Sequence, residues 1–201
     1  MDSKNYNIND FFIENAGIKD INSIMFIEKT SFAKEITEDK KVFIERLETF
    51  PEGFFILRER QSNEAAGYIT CEIWNRNNPA SETVLTKEHF NLSHPIKKYH
   101  NPEGDCLYIA SIAISKKYRG KGLGSLLLDL ALDKISLDFP KINNYILLVN
   151  SLWENAISLY KRKGFKKSNL TFDTEPGILE NFFEQNGVKS KGIIMEKTIV
   201  R

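Results

Sequence analysis

Arg119-Gly120-Lys121-Gly122-Leu123-Gly124-Ser125 sets three glycines among cations, with Lys116 and Lys117 just before them. The stretch joins an apolar run, Leu107 to Ile114, to a leucine-rich run, Leu123 to Leu137. The first run predicts a strand and the second a helix. The glycines therefore sit where a helix begins. There the backbone N–H groups lack intrahelical partners and the helix dipole adds positive charge. Glycine permits close backbone approach and positive φ. This chemistry suits phosphate groups. The spacing separates this loop from other phosphate loops. Ser125 occupies the last glycine position of a dinucleotide fingerprint counted from Gly120, and no G-x-x-x-x-G-K-[ST] is present.

A second constellation follows in the chain: Asn155, Ala156, Leu159, Tyr160, Lys161, Gly164 and Phe165. An apolar run, Tyr145 to Val149, precedes it and predicts a strand. Ser151 and Glu154 have the spacing of a capping box, and Gly164 marks a helix end. The Arg119, Gly122, Gly124 pattern resembles the acetyl-coenzyme A loop of the GNAT acyltransferase superfamily. The helix with Asn155, Leu159-Tyr160 and Gly164-Phe165 resembles that family's next signature, and the order of elements agrees.

The resemblance implies an α/β fold. Its mixed, mostly antiparallel sheet would splay at the coenzyme site, with helices on both faces. It implies acetyl-CoA as co-substrate, held by Arg119, Gly120, Lys121, Gly122, Leu123, Gly124 and Ser125. The pantetheine arm would pair with the backbone of Ile112, Ala113 and Ile114. An N–H of that run, that of Ile112, would serve the oxyanion. Asn155 would bond the pantetheine, and Tyr160 would protonate the departing thiolate. A finer resemblance is to the arylalkylamine (serotonin) N-acetyltransferase branch, in Gly67 to Trp74 followed by a polar insertion. Tyr108 and Ala110 stand where that branch carries histidines.

An alkylamine of pKa about 10.4 is mostly charged at neutral pH, so a base is required. Glu72, on a predicted strand, and Tyr108 are the candidates. His89, His94 and His100 lie in the polar segment, are expected at the surface and receive no role. Trp74, Phe90 and Tyr99 are candidates for an acceptor pocket or for core packing.

The 201 residues fit one domain, 1–201, with an insertion at 75–105. A net charge of +1 gives no general pull toward nucleic acid or anionic membrane. Cys71 and Cys106 lie in apolar runs and read as small buried hydrophobes, and no Cys/His spacing suggests a metal. No signal-peptide profile or span-length apolar run is present, so the expected location is cytoplasmic. Attack without an acyl-enzyme is expected, because no activated Cys or Ser is evident.

The element pattern reads as a strand at Phe11–Ala16 and helices at 18–32 and 37–50. Strands follow at Phe54–Arg58, Ala66–Trp74 and Leu107–Ile114, then a helix to about Asp138 and a strand at 145–149. A helix at 152–163, a strand at 165–172, a short helix at 177–185 and a strand at 192–199 complete it. The expected activity is transfer of acetyl to a primary amine, small and possibly aryl-alkyl, by a monomer or homodimer. A protein N-terminal or lysine acetyltransferase and a non-catalytic acyl-CoA-binding module are the rivals.

Overall fold

A computed structural model describes residues 7–76, 85–173 and 175–199. Its strands are β1 Phe11–Asn15, β2 Phe54–Glu59, β3 Ala65–Trp74, β4 Cys106–Ile114, β5 Asn144–Asn150, β6 Lys166–Lys167, β7 Ile178–Gln185 and β8 Val188–Thr198. The helices are α1 Ile21–Ser31, α2 Lys40–Thr49, the short α3 Ile96–Tyr99, α4 Leu123–Asp138 and α5 Glu154–Arg162. The sheet order is β1-β2-β3-β4-β5-β8-β6, with β7 also paired to β8. Every pairing is antiparallel except β4 with β5.

Two-residue alternation along β3 divides the core. Ile69, Cys71 and Ile73 join α4, through Leu127, Leu128, Ala131 and Ile135, and α5, through Tyr160. Tyr68 points the other way, into a cluster with Ile24, Ile27 and Phe43 from α1 and α2. The helices thus cover both faces, as expected.

The parallel pairing of β4 with β5 runs only from Cys106 opposite Asn144 to Ile109 opposite Leu147. Beyond it β4 continues to Ile114 on its β3 partner, and β5 continues on β8. The two strands therefore part, leaving one edge of β4 open. A register shift between Thr70 and Cys71 sets Thr70 opposite Ser111 and Cys71 opposite Ile109, so Ala110 is the extra residue of a β-bulge. The bulge restores Tyr108 and Ser111, three positions apart, to the same face.

Three expectations are corrected. Residues 177–185 are the strand β7 and not a helix, because Asn186 and Gly187, both at positive φ, turn the chain directly into β8. An Asn-Gly pair in this conformation fits the twist of a two-strand hairpin. The strand expected over 165–172 is reduced to Lys166–Lys167. The Ser151–Glu154 capping box does not form: α5 starts at Glu154 after Trp153, and the Asn150 side chain instead accepts from the Leu152 N–H at 2.9 Å. Cys71 and Cys106 are free and buried, as expected. Of the expected insertion, residues 77–84 lie outside the described residues.

Candidate active site

The gap between β4 and β5 opens into a cavity of about 620 Å³. Ile109, Ala110, Ser111, Ile112, Ala113 and Ile114 form one wall, and Leu148 and Val149 the other. The Ser115 N–H donates to the Ala66 carbonyl at 2.8 Å, toward β3. Strand alternation then turns the Ile112 and Ile114 N–H groups the opposite way, to the open edge. A ligand running along that edge meets backbone donors without needing any particular side chain.

The glycine loop follows directly. Gly120 and Gly122 hold φ of +76° and +75°, and a Cβ at either position would meet nothing within 4 Å. Backbone conformation, not crowding, demands glycine there. Gly122 caps α4 without any side-chain cap. No Ser or Asp side chain therefore covers the start of this helix, while the Ser125 N–H donates to the Gly122 carbonyl at 3.0 Å. Tyr118, fully buried against Phe11, anchors the loop. Lys117 is committed to Glu64 at 2.5 Å. Arg119 donates from Nε to the Ile114 carbonyl at 2.9 Å and from Nη2 to Ser31 Oγ at 2.8 Å. That second bond ties the loop to the end of α1.

Of the residues singled out by sequence, Tyr108, Ile112, Ala113, Ile114, Arg119, Asn155 and Tyr160 line this one cavity. Gly120, Lys121, Gly122, Leu123, Gly124 and Ser125 continue from Arg119 into α4 and are not among the lining residues. Tyr160 is buried and sits edge-on to Phe165. Burial, and then the neighbouring Cys71, push its phenol up, so it stays protonated. Burial pushes the Cys71 thiol up as well.

Glu72, a candidate base in the sequence, is not among the residues that line the cavity. Its side chain is 0% exposed and its carboxylate is fully engaged. His94 Nε2 lies 2.9 and 3.0 Å from its two oxygens, Trp74 Nε1 donates at 3.2 Å, and Arg46 Nε stands 3.4 Å away. Burial tends to raise this carboxyl, but the His94, Arg46 and Trp74 contacts together hold it below the usual range. Tyr108 does line the cavity; it stacks on Trp74 with ring centroids 3.9 Å apart, and burial pushes its phenol up.

The sequence reading missed His94, Arg46, Glu28, Glu38 and Ser111, all of which line the cavity. His89 and His94, expected at the surface, are buried. His94 Nδ1 faces the Asn91 carbonyl at 3.0 Å while Nε2 faces Glu72, so both ring nitrogens are held against acceptors of the protein. Glu28 Oε1 accepts from the Glu38 N–H at 2.9 Å, and Oε2 accepts from the Tyr68 hydroxyl. Glu38 also accepts from Arg46 Nη2 at 3.3 Å and from Ser93 Oγ at 2.6 Å. No spacing in the sequence joins these residues; the sheet and the two helices do.

The cavity between the parting strands, bounded by Arg119 and the buried Tyr160, is of a shape that suits coenzyme-dependent acyl transfer. Residues 19–165 match the acetyltransferase (GNAT) family, and the chain belongs to that family. It is an acyl-CoA-dependent N-acetyltransferase with acetyl-CoA as co-substrate. The chain is 26% identical over 159 residues to an N-alpha-acetyltransferase of Saccharolobus solfataricus, covering 79% of this chain and 81% of the relative. The fold is shared with the loading GNATL domain of CurA from Lyngbya majuscula, at a TM-score of 0.71, 13% identity and 94% and 97% coverage of the two chains. It is also shared with a chain of the NatC complex bound to Gag peptide and CoA, at 0.69, 17%, and 95% and 99% coverage. Among the described residues no group of His, Cys, Asp or Glu is placed to hold a metal, and no helix is long and apolar enough to cross a membrane.

Proposed function

We propose that this enzyme acetylates a small primary amine, aryl-alkyl in character, by direct attack in a ternary complex. The observation that carries the reading is the largely apolar and aromatic lining of the cavity. The segment after β3 folds back over the sheet: Leu85, Phe90 and Ile96 are buried, and Phe90, Asn91, Leu92 and His94 line the cavity. Phe32, Trp153 and Phe183 form a tilted aromatic row on another side, with centroids 5.4 and 5.8 Å apart. Such walls favour an apolar body carrying one amine.

In this reading the coenzyme diphosphate rests on the amides of residues 120–125, and the pantetheine runs along Ile112 to Ile114 beside Asn155. The neutral amine attacks the thioester carbonyl while the Ile112 N–H stabilises the oxyanion. The C–S bond breaks and Tyr160 gives its proton to sulfur. Tyr160 regains a proton from the nitrogen, which loses one on becoming an amide, so free CoA thiol and N-acetylamine result. A cytoplasmic location and a single catalytic domain go with this reading.

The test is an acceptor panel with acetyl-CoA: phenethylamine, tryptamine, putrescine, and short peptides with free α-amines, read by thiol release and product mass. Faster turnover of the small amines is expected. Turnover of peptides alone would overturn the reading and favour protein N-terminal acetylation, the activity named for the archaeal relative.

A further inference from the structure

Attack requires an unprotonated amine, and Ser111 and Glu28 of the cavity wall, bridged by the buried Tyr68, make one directed path for the proton. Ser111 on β4 lines the cavity. Its Oγ lies 2.9 Å from the Tyr68 hydroxyl on β3. Tyr68 donates in turn to Glu28 Oε2 on α1. A phenol has one proton, and the carboxylate takes it. Ser111 must then be the donor to Tyr68, which leaves the Ser111 lone pairs to accept from the cavity. Every bond in the chain therefore runs donor to acceptor from Ser111 toward Glu28. Ser111 pairs with Thr70, two residues from the Tyr68–Ala113 pair in unbroken register, which sets it on the same face as Tyr68.

We infer that Ser111, Tyr68 and Glu28 form the relay that deprotonates the acceptor ammonium, with Glu28 as its terminal base. The inference rests on the N-acetyltransferase reading above. The ammonium N–H bond breaks and its proton goes to Ser111 Oγ. The Ser111 proton passes to Tyr68 Oη, and the Tyr68 proton to Glu28 Oε2. The net change is one ammonium made neutral and one carboxylate protonated. Glu28 then returns its proton to solvent through the emptied cavity.

Other groups are less suited. Glu72 is sealed behind His94 and Arg46, both His94 nitrogens are occupied by acceptors, and the Tyr108 phenol is pushed up by burial. The groups facing Glu28 are Tyr68 from β3, Ser111 through Tyr68 from β4, Glu38 from the loop before α2, and Arg46 from α2. Burial raises the Glu28 carboxyl and the Glu38 charge adds to this; the Tyr68 and Glu38 N–H bonds and the Arg46 charge oppose it. The net rise brings its proton affinity closer to that of the ammonium it serves.

At pH 7 only about one alkylamine in 2,500 is neutral, so loss of a proton acceptor is costly. The test measures kcat/KM against pH for wild type, Tyr68→Phe, Ser111→Ala and Glu28→Gln, with acetyl-CoA and two acceptors. These are phenethylamine and its β,β-difluoro analogue, nearly the same in size but far less basic. A short peptide with a free α-amine is run beside them, and CoA binding reports that each variant is folded. With phenethylamine at pH 7, Tyr68→Phe and Glu28→Gln are expected to lose about 10²-fold or more. With the difluoro analogue the loss shrinks to a few-fold, and Glu28→Gln loses the acid limb of its profile. Ser111→Ala, the variant least exposed to folding defects, shows the same dependence on amine basicity. A Tyr68→Phe enzyme as fast as wild type, or equal losses with both amines, would overturn the relay while leaving the acetyltransferase reading intact. A wild type that acetylates neither amines nor peptide would overturn the functional reading, and the relay with it.

Discussion

Substituting alanine separately at Gly122 and Gly124 separates what the glycine loop does for folding from what it does for the coenzyme. At Gly122, φ is +75° and a Cβ would meet nothing within 4 Å, so the cost is backbone strain alone. Left-handed backbone costs an L-residue about 1–2 kcal/mol. For a chain of this size that lowers Tm by about 2–8 °C. Gly124 lies inside α4, away from positive φ. Its added Cβ would sit 3.7 Å from Leu159 Cδ2 and 3.8 Å from Ile114 Cγ1, ordinary contact distances. Alanine there is neutral or stabilising, by up to about 1 kcal/mol, because it is the better helix former. Its methyl, however, would stand beside Ile114, at the end of the strand edge proposed for the pantetheine. CoA affinity is expected to fall at least about tenfold, or about 1.4 kcal/mol. Thermal melts of the free proteins and calorimetric titration with CoA read the two quantities. A Gly124→Ala protein that melts at or above wild type but binds CoA poorly is the expected result. If it binds CoA as wild type does, the loop does not approach the coenzyme as argued.

Tyr160→Phe should lower kcat by about 10²–10⁴-fold while the KM for acetyl-CoA stays within about threefold; steady-state kinetics with chemistry shown to be limiting checks this. Glu72→Ala leaves Arg46 and His94 without their shared carboxylate and should destabilise the fold by about 3–5 kcal/mol, read by denaturant unfolding. The folded pKa of Glu72 is depressed, so its contribution is complete above the ordinary carboxylate range and fades as pH falls through the folded value. The stability gap between wild type and Glu72→Gln should therefore close on acidification; a gap constant with pH would refute the ion-pair account. Phe90→Ala opens the acceptor end of the cavity and should shift preference toward bulkier amines, measured as a ratio of kcat/KM values for two acceptors.

The proposed coenzyme half of the site is one that a sequence can carry, because its determinants are local. Gly120, Gly122 and Gly124 follow one strand and open one helix, and Asn155, Tyr160 and Gly164 lie on or just beyond another. The acceptor half is not. Glu28, Tyr68, Ser111, Arg46 and His94 come from α1, β3, β4, α2 and the segment before α3, and only packing unites them. The bulge at Ala110 shifts side-chain parity within β4, which an alternation pattern alone does not register. A histidine in a polar segment looks exposed until Glu72 is seen to take it inward. The misread helix at 177–185 had a visible signal, the Asn186-Gly187 pair, outweighed by the apolar spacing before it.

The most direct measurement is a crystal structure with acetyl-CoA bound. The account predicts the diphosphate on the amides of residues 120–125, the pantetheine paired to Ile112 and Ile114, and the thioester sulfur within hydrogen-bond reach of the Tyr160 hydroxyl. A coenzyme seated outside the gap between β4 and β5, or with its sulfur remote from Tyr160, would contradict it.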